Sequence, residues 1–161
     1  MAKTAITIVR GVDSHIAGAL RVLGLLPRYF VPTVQQEVAG LLESRPWLAA
    51  VDPAGDVVGF LMWDERPHET ELLWMAVHPQ AKGNHVGSAL LSNCLAGLDP
   101  SKPVYLLTAT TDSKIPGTAF DGTAYEATER FFSQRGFVPA EVRKSYWGPM
   151  NHCLVMRREP S

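Results

Sequence analysis

Residues 72–91 read LLWMAVHPQAKGNHVGSALL and combine three kinds of local sequence. The apolar run that ends at Val77 is typical of a buried strand. A sharp turn is expected over Pro79–Gly83, because proline and glycine favour turns and interrupt regular structure. Apolar residues then recur at helical spacing over about His85–Leu98. This stretch therefore predicts a strand, a tight turn and a helix in direct succession.

The start of the predicted helix has the chemistry of an anion site. The first turn of a helix presents N–H groups without intrahelical partners and about half a positive charge, which suits a phosphate group. Lys82 adds a full positive charge, and the small residues up to Ser88 let the main chain approach a ligand closely. The sequence lacks both the spacing of a Walker loop and the Gly-x-Gly-x-x-Gly pattern. A pyrophosphate is therefore expected here, whereas ATP or a dinucleotide is disfavoured.

Outward from this stretch, proline, glycine and capping residues divide the chain into short predicted elements. Strands are predicted at Thr4–Val9, Trp47–Val51, Val57–Trp63, Glu69–Val77, Val104–Thr108, Val138–Tyr146 and Asn151–Arg157. Further helices are predicted from Asp13 to Gly24, from Thr33 up to Pro46, and from Thr123 to Gly136. The last two begin at capping-box sequences, Thr33-x-x-Gln36 and Thr123-x-x-Glu126. The order β-α-α-β-β-β-α-β-α-β-β predicts an α/β protein with a mixed, mostly antiparallel central sheet flanked by helices.

The composition limits the class of protein. The chain has 161 residues, 46% of them hydrophobic and 19% charged, with a formal net charge of -1. This length fits a single domain over residues 1–161, and the near-neutral charge gives no global attraction for nucleic acid or anionic membranes. The longest strongly apolar run, Val57–Trp63, is far shorter than the roughly 20 residues that cross a bilayer. The N-terminus lacks a signal-peptide cleavage pattern, so we expect a cytoplasmic protein without membrane or nucleic-acid partners.

The predicted anion site resembles the phosphate signature of the GNAT superfamily of acyl-CoA-dependent N-acyltransferases. That signature is Arg/Gln-x-x-Gly-x-Gly/Ala, and the corresponding residues here are KGNHVG at positions 82–87. Gly87 matches the signature, whereas Lys82 replaces Arg/Gln and His85 replaces the first glycine. Three further stretches are similar to family motifs, namely AVHP at 76–79, FFSQRGF at 131–137 and a closing hairpin over 146–156. The resemblance covers nearly the whole chain and implies the GNAT fold.

The resemblance implies an N-acetyltransferase that moves an acetyl group from acetyl-CoA, its cosubstrate, to a primary amine by direct attack in a ternary complex. The pyrophosphate would bind backbone N–H groups from Gly83 to Ser88. The pantetheine arm would lie along the strand at Met75 and Val77, and the Met75 N–H would stabilise the oxyanion. The residues that the resemblance implies for cofactor binding are Met75, Ala76, Val77, Lys82, Gly83, Asn84, His85, Val86, Gly87, Ser88 and Phe132.

The reaction also needs a base for the acceptor ammonium and a proton donor for the departing thiolate. Glu71 is the candidate base, because strand alternation places it on the face of Met75 and family members often carry a glutamate there. An ordinary, partly solvated strand carboxylate is the alternative interpretation of Glu71. The family often uses a tyrosine donor at the position of Phe132, so Tyr125 on the same predicted helix is the candidate substitute. Tyr146 and solvent water are the other options for the donor.

Other interpretations of the sequence stay open. No metal site is expected, since His68, His78 and His85 lack the H-x-x-x-H spacing of paired ligands. The acceptor is expected to be a small-molecule or protein amine, and a homodimer is left open. A CoA-binding sensor without turnover is one alternative function, motivated by Phe132 and the altered signature. A protein-interaction module that uses the sheet edge or the aromatic hairpin is another.

Overall fold

A seven-stranded mixed sheet with four α-helices organises residues 5–160, which the computed structural model describes. The strands are β1 Thr7–Arg10, β2 Trp47–Val51, β3 Val57–Glu65, β4 Thr70–Val77, β5 Val104–Ala109, β6 Val138–Gly148 and β7 Asn151–Arg158. The α-helices are α1 Asp13–Gly24, α2 Val34–Leu42, α3 Val86–Ala96 and α4 Tyr125–Ser133. Short 3-10 turns at Pro79–Ala81 and Gly122–Ala124 precede α3 and α4. The predicted order of elements is confirmed, and Thr4 of the first predicted strand lies outside the described residues.

The strands follow one another across the sheet in the order β1-β2-β3-β4-β5-β7-β6. The pairs β1–β2, β2–β3, β5–β7 and β6–β7 are antiparallel. β4 and β5 pair in parallel, with Glu71 directly opposite Tyr105. A mixed, mostly antiparallel sheet was the expectation from the sequence, and it is confirmed. No helix among residues 5–160 is long and apolar enough to span a bilayer.

The chain divides into two compact units, and β4 contributes residues to both. Unit 1 comprises the residues up to Leu26 together with Pro32–Asp64 and Leu73–Asp99. Its fully buried side chains include Val22, Leu23, Val38, Trp47, Phe60 and Leu90. Gly59 in β3 allows a close approach, because a Cβ there would lie 3.0 Å from Val86 Cγ1 and 3.1 Å from the Ala76 carbonyl oxygen. The first turn of α3 is thereby held against the strands of unit 1.

Unit 2 comprises Pro27–Val31, Glu65–Leu72 and the chain from Pro100 onward. Its core is centred on β7, whose residues Cys153–Met156 are all buried, and on Phe137 and Phe132. Glycine is required at Gly136, where φ is +89°, so the left-handed turn predicted after the last helix is confirmed. The following chain then enters β6, the outermost strand of the sheet on this side.

Both predicted capping boxes are wrong. Thr33 already has helical dihedral angles (φ -64°, ψ -20°), and its side chain makes no capping hydrogen bond. Thr123 likewise lies inside a turn, the 3-10 turn Gly122–Ala124. The Asp121 carboxylate accepts hydrogen bonds from the Thr123 N–H at 3.0 Å and from its hydroxyl at 2.6 Å. The aspartate two residues earlier therefore performs the capping that the sequence pattern assigned to the threonine.

Candidate functional site

The turn before α3 is built by short-range hydrogen bonds within unit 1. His78 accepts a hydrogen bond from the Gln80 N–H through Nδ1 at 3.1 Å, and its carbonyl accepts from the Ala81 N–H at 2.9 Å. The Asn84 N–H then donates to the Ala81 carbonyl at 3.2 Å. These bonds form the sharp turn that the proline and glycine residues predict, and they lead the chain into α3.

The α3 helix begins at Val86, directly after the exposed residues 82–85. The first main-chain bond of this helix runs from the Ala89 N–H to the His85 carbonyl at 3.0 Å. The N–H groups of Val86 and Gly87 lie before that hydrogen bond. Like the first N–H groups of every α-helix, they have no acceptor within the helix. Lys82, Gly83 and Asn84 lie on the exposed approach to this end of the helix. The anion site predicted for this helix start stays a prediction.

Two residues of this loop have left-handed backbone conformations. Gly83 has a φ of +88°, and no heavy atom lies within 4 Å of the position that a Cβ would take. His85, immediately before α3, has φ +59° and ψ +24°. The GNAT signature has a glycine at the position of His85, and histidine adopts this conformation less readily than glycine. His85 therefore holds a left-handed backbone conformation that a glycine would adopt more readily.

Glu71 lies in a hydrogen-bonded cluster of unit 2 that includes one residue each from β4, from β5 and from the turn before β4. Its Oε1 accepts from Arg66 Nη2 at 2.8 Å and from the Tyr105 hydroxyl at 2.9 Å. Arg66 also donates through Nη1 to the Tyr105 hydroxyl oxygen, which closes a triangle of the three side chains. Only 14% of the Glu71 side chain is exposed. Both bonds end on Oε1, so Oε2 is the oxygen that stays available to an external amine or water.

Burial is the main cause that raises the pKa of Tyr105 to about 12, and the hydrogen bond to Glu71 adds to it. The phenol therefore stays protonated at neutral pH and donates to the Glu71 carboxylate. Neither Tyr105 nor Arg66 was among the residues predicted from the sequence. The sequence offered one signal for Tyr105, namely a tyrosine within an otherwise apolar strand. That signal was not enough, because the register that places Tyr105 opposite Glu71 is set only when β4 and β5 pair.

Tyr125 is held inside unit 2 by its own hydroxyl. This hydroxyl donates to the Tyr29 carbonyl at 2.7 Å, while the Tyr29 hydroxyl donates to the Ala124 carbonyl at 3.0 Å. The two rings meet edge to face at 5.1 Å, and burial raises the pKa of Tyr125. An ion pair of 2.8 Å between Arg28 and Asp121 joins the same two segments. These bonds give Tyr125 a structural partner, and its role as a proton donor stays a prediction.

The remaining predicted residues have ordinary packing roles in their own units. Phe132 is 5% exposed and packs edge to face against Phe131 and Phe137, with ring centres 5.0 and 5.3 Å apart. Ala76 is buried in β4, whereas Met75 and Val77 on the opposite face of the strand are half-buried. Cofactor contacts by these residues stay predictions. Within residues 5–160, no three His, Cys, Asp or Glu side chains form a group that could hold a metal ion.

Comparison with known proteins identifies the family. The profile of the acetyltransferase (GNAT) domain matches residues 43–139, more than half of the chain, so the protein belongs to the GNAT acetyltransferase family. A search of the curated proteins finds no match.

Solved structures of low sequence identity share the fold. A GNAT-family protein from Desulfovibrio desulfuricans is 20% identical, with a TM-score of 0.77, 98% of this chain covered and 100% of that one. The ribosomal-protein-S18-alanine N-acetyltransferase from Escherichia coli is 17% identical, with a TM-score of 0.76 and coverages of 98% and 95%. An aminoglycoside 6'-N-acetyltransferase complexed with coenzyme A is 18% identical, with a TM-score of 0.71 and coverages of 94% and 96%.

Proposed function

We propose that this protein transfers an acetyl group from acetyl-CoA to the primary amine of a small molecule or a protein. The observation that carries the proposal is the loop over Lys82–Ser88, whose backbone N–H groups open α3. Membership of the GNAT acetyltransferase family supports it, as does the aminoglycoside acetyltransferase that was solved with coenzyme A. Glu71 and the side chains bonded to it supply the proton chemistry.

The loop fits a diphosphate in three respects. The N–H groups of Val86 and Gly87 have no intrahelical acceptor, and the positive end of the helix dipole favours an anion beside them. Lys82 contributes a full positive charge on the exposed side of the loop. Gly83 leaves open space where a side chain would stand, so a bulky anion meets no obstruction there. These residues would hold the pyrophosphate, and Met75 and Val77 would bind the pantetheine arm through backbone groups.

Acetyl-CoA supplies an activated thioester, and the residues of unit 2 manage the proton. The acceptor nitrogen forms a bond to the acetyl carbon, the bond from that carbon to sulfur breaks, and the amine proton passes to Glu71. Arg66 and Tyr105 fix the carboxylate through Oε1, which leaves Oε2 to face the amine. The departing thiolate takes a proton from water or from Tyr125. The hydrogen bond from Tyr125 to the Tyr29 carbonyl favours water as the source.

Substitution at Gly83 tests the cofactor assignment. Gly83→Asp places a carboxylate in the open space of the loop. Gly83→Asn is the matched control, because asparagine is nearly isosteric with aspartate, lacks its charge and tolerates a left-handed backbone conformation. Isothermal titration with acetyl-CoA should show binding by wild type and Gly83→Asn, and loss of binding by Gly83→Asp and by Gly83→Asp with Gly87→Asp. No heat from the wild type at millimolar acetyl-CoA would contradict the proposal, as would equal binding by both Gly83 variants.

A sensor that binds CoA without turnover is the second candidate, and Phe132 at the usual tyrosine position favours it. Thiol release in the presence of a panel of amines separates the two candidates. Release that depends on both acetyl-CoA and an amine supports the transferase. Binding without release from any primary amine of the panel supports the sensor.

A further inference from the structure

Two residues beside the Glu71 cluster of unit 2 are each followed by a proline. Arg66 lies directly before Pro67, on the turn between β3 and β4, and Lys102 lies directly before Pro103, just ahead of β5. A residue that precedes proline is disfavoured in helical backbone and is restricted to extended conformations. The main chain of both residues therefore has few accessible conformations, even without a contact between them.

Backbone hydrogen bonds hold the turn that carries Arg66. The Arg66 N–H donates to the Glu69 carbonyl at 2.9 Å, which closes the turn. The Thr70 N–H donates to the Pro103 carbonyl at 3.0 Å, and the parallel pairing of β4 with β5 begins at the buried Thr70. The turn and the segment before β5 therefore lie side by side.

Lys102 joins these two segments through its side chain. Its Nζ donates to the Arg66 carbonyl oxygen at 3.1 Å. The Arg66 guanidinium bonds both Glu71 and the Tyr105 hydroxyl, and its central carbon lies 5.9 Å from the centre of the Tyr105 ring. Lys102 thus bonds the main chain of the residue whose side chain holds the Glu71 carboxylate.

We propose that Lys102 is a positioning residue for the base, which acts on Glu71 through Arg66. This inference rests on the proposed function, because it takes Glu71 as the base. A guanidinium that bonds a carboxylate and a phenol at once needs accurate placement, since hydrogen bonds weaken steeply when their geometry is distorted. The lysine contact limits movement of the Arg66 main chain and so keeps the Glu71 carboxylate in a fixed orientation toward the acceptor.

A direct effect of the Lys102 charge on Glu71 is the competing explanation. Such an effect acts through space, so it would be the same whether Arg66 is present or absent. Positioning through Arg66 instead requires the arginine, and its loss makes the lysine irrelevant to the reaction. A double-mutant cycle of Lys102 and Arg66 separates the two explanations.

Steady-state kinetics with a thiol-detecting assay test the proposal. Lys102→Met removes the ammonium and keeps most of the side-chain length, so kcat should fall about fivefold, the effect expected from one lost hydrogen bond. KM for acetyl-CoA should stay the same, because the loop before α3 is unchanged. Lys102→Arg keeps a donor and the charge, and should recover most of the lost rate. In an Arg66→Met background, Lys102→Met should lower kcat by less than about twofold.

Lys144→Met is the matched control, because it removes an exposed lysine of β6 in the same unit. This variant should keep kcat within about twofold of the wild-type value, as is usual for surface substitutions. Every variant should unfold thermally in one cooperative transition, at a temperature close to that of wild type.

Three kinetic results would overturn the proposal: an equal loss from Lys102→Met with and without Arg66, no loss in either background, or an equal loss from Lys144→Met. Failure of the proposed function gives a different result. A wild type without amine-dependent thiol release would overturn both. Wild-type release that Glu71→Gln abolishes, together with an additive Lys102 and Arg66 cycle, would overturn only the role of Lys102.

Discussion

Glu71 accepts two hydrogen bonds on one carboxylate oxygen, and this arrangement predicts how its removal affects the reaction. Glu71→Gln keeps the size of the side chain but removes the base, so kcat/KM should fall by roughly 10²- to 10⁴-fold. The dissociation constant for acetyl-CoA should stay the same, because the proposed diphosphate contacts belong to the loop before α3. Steady-state kinetics with a thiol-detecting assay and titration calorimetry measure the two quantities.

The matched control for this prediction is Glu69→Gln. Glu69 precedes β4 by one residue, and its ion pair with Arg157 is longer, at 3.9 Å. Its replacement should change kcat/KM by less than about threefold, as expected for a weak surface pair. Equal losses in both variants would mean that general negative charge, rather than a base at Glu71, supports the reaction.

Tyr105 predicts a pH dependence of stability. Its pKa is raised to about 12, whereas an unfolded tyrosine titrates near pH 10. The folded state therefore binds this proton more tightly than the unfolded state, and the resulting stabilisation is complete below about pH 10 and disappears as the pH rises toward 12. The free-energy difference between wild type and Tyr105→Phe should be constant from pH 7 to 9 and should shrink above about pH 10. Urea unfolding at each pH measures it, and a difference that does not change with pH would contradict the linkage.

The sequence predicted Glu71 as the candidate base but did not predict the two side chains, Arg66 and Tyr105, that form hydrogen bonds with it. Strand alternation and the position in the GNAT pattern were enough to select the glutamate. Arg66 lies only five residues before Glu71, on the turn between β3 and β4, and its contact depends on the conformation of that turn. The Tyr105 contact depends on the parallel register of β4 with β5, which pairs residues 34 positions apart in sequence. Local sequence patterns do not encode such a register, because it results from how the intervening helix and turns pack.

The loop and α3 together predict the effect of replacing His85. His85→Ala keeps a Cβ in the left-handed conformation, whereas His85→Gly removes it, and both remove the imidazole. The glycine variant should therefore be more stable than the alanine variant by roughly 1 kcal/mol. Chemical denaturation measures this difference. The affinity for acetyl-CoA should be retained by His85→Gly, because backbone N–H groups are the proposed ligands.

Two results would contradict that prediction. A more stable alanine variant would mean that residue 85 does not need left-handed backbone in solution. An equal loss of acetyl-CoA affinity in both variants would mean that the imidazole, rather than the backbone, contacts the cofactor.

Helix starts were predicted less well than helix positions. The capping boxes at Thr33 and Thr123 failed for a common reason, namely that the chain had begun to turn before the threonine. At Thr33 the Gln35 N–H already donates to the Pro32 carbonyl at 3.3 Å, and at Thr123 the cap is Asp121. A capping box requires an extended residue at the cap position, and the sequence pattern does not report backbone conformation.

For the molecule as a whole, the order of elements was predictable because proline, glycine and polar turns separate the apolar runs. The strand order was not contained in those runs. The placement of β7 between β5 and β6 depends on long-range pairing and was not predicted. The exposure of β6 along most of its length was not predicted either, because a local sequence pattern does not report which faces the other elements cover.

Amide hydrogen exchange with and without acetyl-CoA tests the central claim most directly, because it reports on the backbone groups that the account makes the ligands. Saturation with acetyl-CoA should slow exchange at the Val86 and Gly87 amides, and Gly83→Asp should show no such protection under the same conditions. Binding of acetyl-CoA that leaves these amides unprotected would contradict the account.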